Sequence, residues 1–333
     1  MVRKTNLIVS CIFVFFLATF ICIIGTYNAS ADPEPLPFSF PVPSLDDLQW
    51  DDIDNDGGCF PGVENALVID DAMDAMGTND AYDGAWNTLV GITAVDPNGI
   101  GDLTGNTYTS QPQNISGLAV TYQLYFSEDT QCNRLVLFFD NNTGSTISDT
   151  VQIATNFGSD DFTQIDGTSS GDTSFTTADR WLVTSDGGDE FDPVNTTVFY
   201  GPGIPSSTPT SASINFCGLP FDDNAGVAFD IEVPGNQTRC LMLFGCLADI
   251  TGLDNTVPGA LDAAQLFNSN DTIPGDLLSG LSDQQLSECL NWDFAAPPQP
   301  QPIPTLSEWG LIAVAVVLGL VGFMVIRRRK VTA

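Results

Sequence analysis

Two apolar stretches, each with basic residues on its outer end, fence this chain and decide what can lie between them. At the N-terminus Arg3 and Lys4 precede an uncharged run over residues 7–24, and Ala29-Ser30-Ala31 follows it. These are the n-region, h-region and small-residue cleavage site of a signal peptide spanning residues 1–31. At the other end residues 309–326 carry no charge, and Arg327, Arg328, Arg329 and Lys330 close them off as a basic stop. At about 1.5 Å per residue this run just spans a hydrocarbon core of roughly 30 Å, which predicts a transmembrane helix over 309–326. Cations resist translocation, so both termini stay cytoplasmic and the middle is placed outside.

The octet ahead of that helix is Ile303-Pro304-Thr305-Leu306-Ser307-Glu308-Trp309-Gly310. It resembles the IPTL-CTERM sorting signal of bacterial surface proteins, with Ile303, Pro304, Thr305, Leu306, Trp309 and Gly310 filling the pattern I-P-T-L-x-x-W-G. The helix and the basic stop follow in the order that family shows. The resemblance covers residues 303–330 only. It implies a partner, a membrane-embedded sorting or processing enzyme of exosortase-like logic, and a route through the inner membrane to the cell surface or extracellular matrix. Residues 156–189 also resemble a module of bacterial surface proteins that has no assigned activity.

Of the 42 acids all but Glu308 lie in residues 32–304, where the only cations are Arg134, Arg180 and Arg239. A middle so acidic repels nucleic acid and anionic lipid, which excludes nucleic acid as a partner. It leaves divalent cations, neutral surface glycans or basic proteins, or a surface acidic for solubility. The exported part holds neither Lys nor His, so Ser-His-Asp, Cys-His and Lys-based nucleophilic schemes are closed to it.

Six cysteines fall in the exported part: Cys59, Cys132, Cys217, Cys240, Cys246 and Cys289. An even number in an oxidising compartment predicts up to three disulfides. Cys240 and Cys246 bracket Leu-Met-Leu-Phe-Gly, a strand whose roughly 20 Å span forbids a bridge between them, so they take different partners. Cys59 and Cys289, near the two ends of the ectodomain, are candidates to staple it shut.

Residues 32–50 open on PEPLPFSFPVP and read as a Pro-rich spacer. From 51 to 294 the chain reads as an acidic ectodomain that is mainly β. Strands are predicted at 85–95, 118–126, 134–139, 150–156, 180–184, 196–200, 212–216, 227–233 and 238–243, separated by Asp/Asn/Gly turns. Alternation in Val120-Thr121-Tyr122-Gln123-Leu124 implies one buried face. The continuous apolar runs at 134–139 and 240–244 imply central strands. Antiparallel turn signals favour a β-sandwich. Composition shifts after Gly245, and a small helical appendix is expected at about 246–294, its last helix opened by the capping box Ser282-Asp283-Gln284-Gln285. Residues 295–302 read as a stiff Pro-rich stalk before the sorting signal at 303–330.

Asp52, Asp54, Asp56 and Gly57 form D-x-D-x-D-G, the ligand spacing of a calcium loop, although the position-12 Glu of an EF-hand is replaced by Val63. Calcium is the only cofactor the sequence suggests. A pair of carboxylates would suit glycoside hydrolysis, but Asp160-Asp161, Asp189-Glu190-Asp192 and Asp222-Asp223 read first as turn residues. The three arginines are expected to neutralise nearby carboxylates at strand ends, or to meet a sugar or carboxylate beside Trp181. Trp50, Trp86, Trp181 and Trp292 are candidates for a sugar-stacking platform, with at least two of them in the core. The reading is a non-enzymatic surface or matrix protein. The alternatives are a glycan-binding envelope module and a carbohydrate-active enzyme.

Overall fold

Strict alternation over β10 (Leu118–Phe126) sends Leu118, Val120, Tyr122 and Leu124 inward and leaves Ala119, Thr121 and Gln123 half-buried on the other side. That strand sits inside the largest sheet of the computed structural model, which describes residues 32–45, 47–55, 59–60, 65–96, 100–159, 163–187, 192–217, 224–250, 255–294, 315–318 and 320. The chain divides into two compact units, Met1–Ala295 and Ala296–Ala333. The signal peptide, the Pro-rich stalk, the sorting octet and the basic stop lie outside the described residues, as does Asp56.

The first unit is mainly β, with antiparallel sheets. Among the described residues the large sheet has the order β1 (Asp32–Pro35), β7 (Ile100–Thr104), β8 (Thr107–Ser110), β10, β11 (Cys132–Asn141), β18 (Gln237–Leu247), β15 (Asn195–Val198), β14 (Trp181–Ser185), β13 (Gln164–Thr168), and β9 (Gln113–Ile115) also pairs with β10. A second sheet runs β16 (Pro209–Ser213), β17 (Asn224–Val233), β12 (Ile147–Asn156), β5 (Asn87–Val90), β6 (Thr93–Ala94). A third joins β2 (Phe38–Pro41), β3 (Gln49–Asp54) and β4 (Val68–Met73).

One apolar cluster gathers Val120, Tyr122 and Leu124 of β10, Leu135 and Leu137 of β11 and Leu241 and Leu243 of β18 with Val151 and Ile153 of β12 and Val227, Phe229 and Ile231 of β17. Trp50, Ile53 and Ile69 of the third sheet join it. The opposite face of β11 and β18 supplies Cys132, Val136, Cys240, Met242, Phe244 and Cys246 to a second cluster with Ala260, Ala264, Phe267, Leu277 and Trp292. Both faces of these strands are thus covered, which is why their sequences are apolar without a break.

The helical segment matches its expectation. α1 (Val257–Gln265) is capped by Thr256, short 3-10 turns follow at Leu266–Asn268 and Gly275–Leu278, and α2 (Asp283–Glu288) opens on the Ser282/Gln285 capping box. Three expectations are corrected. The Pro-rich spacer is not a spacer: its Phe38, Val42, Leu48 and Trp50 are buried, β1 pairs with β7 and β2 with β3. The strand expected at 85–95 is a hairpin, reversed at Gly91 (φ 62°), where glycine tolerates the left-handed backbone. The strand expected at 212–216 lies at Pro209–Ser213, with a bulge between Pro209 and Ser211.

Among the described residues no helix is long and apolar enough to cross a membrane. Of the predicted span 309–326, residues 315–318 and 320 are described; they are helical and exposed.

Candidate functional site

The outer face of the large sheet is covered over only part of its area, and the edge of that cover creates the best-defined polar site. Cys240–Cys289 ties the appendix to β18, and Leu290 N–H donates to the Cys240 carbonyl at 2.7 Å. Asn291, fully buried, then imitates a strand residue beside Met242. Its Nδ2 donates to the Met242 and Phe199 carbonyls (2.7 and 2.8 Å), and its Oδ1 accepts from Met242 N–H (2.9 Å). Trp292 donates Nε1 to the Met242 carbonyl at 2.7 Å and meets Phe244 edge-on at 5.3 Å. Gly201 makes room for it, since a Cβ there would fall 2.2 Å from the indole.

At the edge of the cover sits Arg134, 0 % exposed. Its Nη1 donates to the carbonyls of Leu277 (2.6 Å) and Ser279 (3.0 Å), its Nη2 to Gln123 Oε1 (3.3 Å), and its guanidinium lies 4.9 Å from the centre of the Tyr125 ring. Burial lowers its pKa to about 10, with Tyr125 opposing, so it stays charged at neutral pH. The expected carboxylate partners are absent among the described residues. Carbonyl dipoles and an aromatic face spread the charge instead, which the planar guanidinium allows. Arg180 Nη2 and Trp181 Nε1 both donate to Asn268 Oδ1 (2.5 and 3.1 Å). Arg239 donates to the Thr238 carbonyl (2.8 Å) and Gln237 Oε1 (2.6 Å), and it borders a cavity of about 470 Å³ with Asp230, Glu232, Ser206 and Ser207.

Beyond Arg134 the outer face is open. Thr109 of β8, Thr121 and Gln123 of β10, Phe138 and Asp140 of β11 and Thr238 of β18 lie side by side, and Gln285 and Glu288 of α2 wall one side of a cavity of about 280 Å³. Gln123 is held from both ends: Nε2 donates to Thr109 Oγ1 at 3.3 Å while Oε1 accepts from Arg134. Thr238 Oγ1 donates to Asp140 Oδ1, and Gln284 Nε2 to Glu288 Oε1 at 2.9 Å. Alternation in 120–124 already marks Thr121 and Gln123 as a polar face, but which strands would flank them has no signal in the sequence.

The other predicted site residues are scattered. Asp52 (φ 43°) is exposed and Asp54 half-buried on β3. Among the described residues no group of three His, Cys, Asp or Glu could hold a metal. Asp71, opposite Asp51 across β3–β4, has its pKa raised by burial and by the charges of Asp80 and Asp51, against an N–H bond from Ala72 that lowers it. Of the carboxylate groups, residues 160–161, 189–190 and 222–223 lie outside the described residues, and Asp192 is half-buried beside a cavity of about 140 Å³. Trp50, Trp86, Trp181 and Trp292 are all buried, none more than 3 % exposed, so none offers a stacking platform. The disulfides are Cys59–Cys217, Cys132–Cys246 and Cys240–Cys289. Cys240 and Cys246 do take different partners, but the Cys59–Cys289 staple is overturned: Cys289 follows α2 straight onto β18, while Cys59 packs with Phe216 and Cys217 beside the second sheet.

The end of the chain defines a class: polar octet, apolar run and basic stop form a C-terminal sorting signal of the kind that sends proteins to the cell surface. Its particular type is IPTL-CTERM, whose family model matches residues 301–330. No curated protein matches the chain in sequence. Among solved structures it is similar to a protein described as a kojibiose phosphorylase from human microbiome, at 7 % identity over 64 % of this chain and 27 % of that one. This chain thus spans about a quarter of that protein's length, and a TM-score of 0.28 carries no functional inference.

Proposed function

We propose that the protein is a non-enzymatic surface or extracellular-matrix component, a disulfide-stabilised β-sandwich with a helical appendix. An exosortase-like enzyme in the inner membrane processes its tail. The IPTL-CTERM match at residues 301–330 carries this reading. Three disulfides suit an exported, oxidising setting, and the lack of His and Lys in residues 32–304 removes the usual nucleophilic schemes. Trp309→Ala, or deletion of residues 327–330, is expected to leave the protein unprocessed in the inner membrane. Unchanged surface delivery of both variants would overturn the sorting role and leave an ordinary anchor.

Calcium at Asp52, Asp54 and Asp56 is a second, separable element of the proposal, supported by the D-x-D-x-D-G spacing. Thermal melting with calcium and with chelator tests it. A higher Tm in calcium that disappears in Asp54→Ala is expected, and identical Tm values dismiss the site.

A further inference from the structure

We infer that the open part of the large sheet's outer face is a subsite for one ring of a neutral saccharide. It goes beyond the sorting role, because delivery depends on residues 301–330 and binding on the sheet. The floor of the site is built on interior strands. β8, β10 and β11 are each paired on both sides, and β18 is laddered to β11 over Gln237–Cys246 and to β15 over Phe244–Leu247, so positions on this face are fixed by the ladder.

The chemistry of the floor points to a polyol. Thr121 offers a hydroxyl that both donates and accepts, Thr109 a hydroxyl proton and Thr238 an acceptor oxygen, while Gln285 keeps its amide N–H donors beside the Oε1 engaged in the capping box and Gln123 one N–H beyond its bonds to Thr109 and Arg134. Phe138 is half-buried among them, an apolar face for the C–H side of a sugar ring of the kind aromatic side chains provide. Arg134 acts from the edge of the cover as a positioning residue, since it holds Gln123 Oε1 at 3.3 Å. Its charge is taken up by Leu277, Ser279 and Tyr125 and does not reach the cavity as an anion receptor.

Charge and size narrow the ligand. Asp140 and Glu288 line the cavity within a strongly acidic exported region, which repels uronates, phosphates and sulfated sugars. The volume of about 280 Å³ lies at the lower edge of ordinary small-molecule sites, roughly 300 Å³ upward. It therefore takes one ring, with the rest of an oligosaccharide running over the sheet.

The test uses the full chain in detergent against a panel of neutral and acidic oligosaccharides, measured by calorimetry at two salt concentrations. At least one neutral oligosaccharide should bind, with little dependence on salt and without calcium. Phe138→Ala should weaken it about tenfold. Phe138 also packs against the appendix, so Thr121→Val serves as a second variant: it keeps the shape and the fold and should weaken binding several-fold. No neutral saccharide bound at millimolar concentration overturns the site. So does binding that both variants leave intact, binding that requires calcium, or salt-sensitive binding confined to basic peptides.

Discussion

The outer face of the large sheet has two regions built on the same strands, and their contrast shows how tertiary cover selects residue type. Under the appendix β10 contributes Tyr125, β11 Val136 and β18 Met242 and Phe244. A few residues along, on the same side of the same strands, stand Thr121 and Gln123, Phe138 and Asp140, and Thr238. Strand geometry is shared, since these residues are register neighbours on one pleat. What changes is the second layer. Buried against Phe267, Leu277 and Trp292, a hydroxyl would lose its water without a partner, whereas in the open region it keeps its water. Arg134 marks the border, its stem under the appendix and one arm on Gln123.

Breaking the cover should be the largest effect. The Cys240–Cys289 disulfide closes a loop of 49 residues, and chain entropy puts its removal at about 4 kcal/mol. The double variant Cys240→Ser/Cys289→Ser is expected to loosen the appendix first. Hydrogen exchange should rise at residues 257–292 and a dye for exposed apolar surface should bind, while β12 and β17 stay protected. Equal loss of protection in both clusters would mean that the appendix is not a separate layer energetically.

Removing the border residue comes next. Arg134→Ala strands two carbonyls and one amide oxygen that a single guanidinium now satisfies, at about 3 kcal/mol in total. Arg134→Lys keeps the charge but not the fork, and less than half of the loss should return in chemical denaturation.

Much of this contrast was legible in sequence, and its limits have physical causes. Strands at 118–126, 134–139 and 238–243 were readable because patterned or continuous apolar runs report how many of their faces are covered. The capping box at Ser282 and the helical turns after 257 are local chemistry, and they too were readable. The Pro-rich start misled because prolines at 33, 35 and 41 suit a sheet edge as well as an extended linker; β1 ends the large sheet and β2 the third one, where a missing N–H costs nothing. Disulfide partners and the four strands beneath Phe138 depend on long-range topology, for which one sequence carries no signal. The arginines misled for a related reason: their partners are backbone carbonyls and amides, which every sequence contains everywhere.

Titration sharpens the comparison between the two faces of the sheet with opposite signs. Tyr122 on the inner face of β10 and Tyr82, another member of the same apolar cluster, are pushed above the ordinary tyrosine value by burial. An acid whose folded pKa is raised contributes stability that is whole below its unfolded pKa, about 10, and is lost as pH climbs above that. Arg134 is a base lowered to about 10 by burial, so its cost to folding is relieved as pH rises from there toward its ordinary, higher value. The tyrosines outnumber it, and net stability should fall above pH 10. Tyr122→Phe is expected to be neutral at pH 7, since its hydroxyl has no partner in the core, and to flatten the alkaline loss by about 1.4 kcal/mol per pH unit. Urea midpoints at pH 7, 10 and 11 would check this, and an unchanged slope would remove Tyr122 from the account.

The smallest expected effect is the one that separates scaffold from surface in the open region. Thr121 is half-buried on the open part of the face, where its hydroxyl keeps its water. Thr121→Val should therefore change stability by no more than about 0.5 kcal/mol in either direction. Under the cover the same exchange of polar for apolar type runs the other way: Val136→Thr buries a hydroxyl among Met242, Phe244 and Leu277 and should cost about 1–3 kcal/mol. If the two variants lose similar amounts in urea denaturation, Thr121 is part of the scaffold, and the division of this face into a packed region and a presented one fails at the residue where it is drawn most finely.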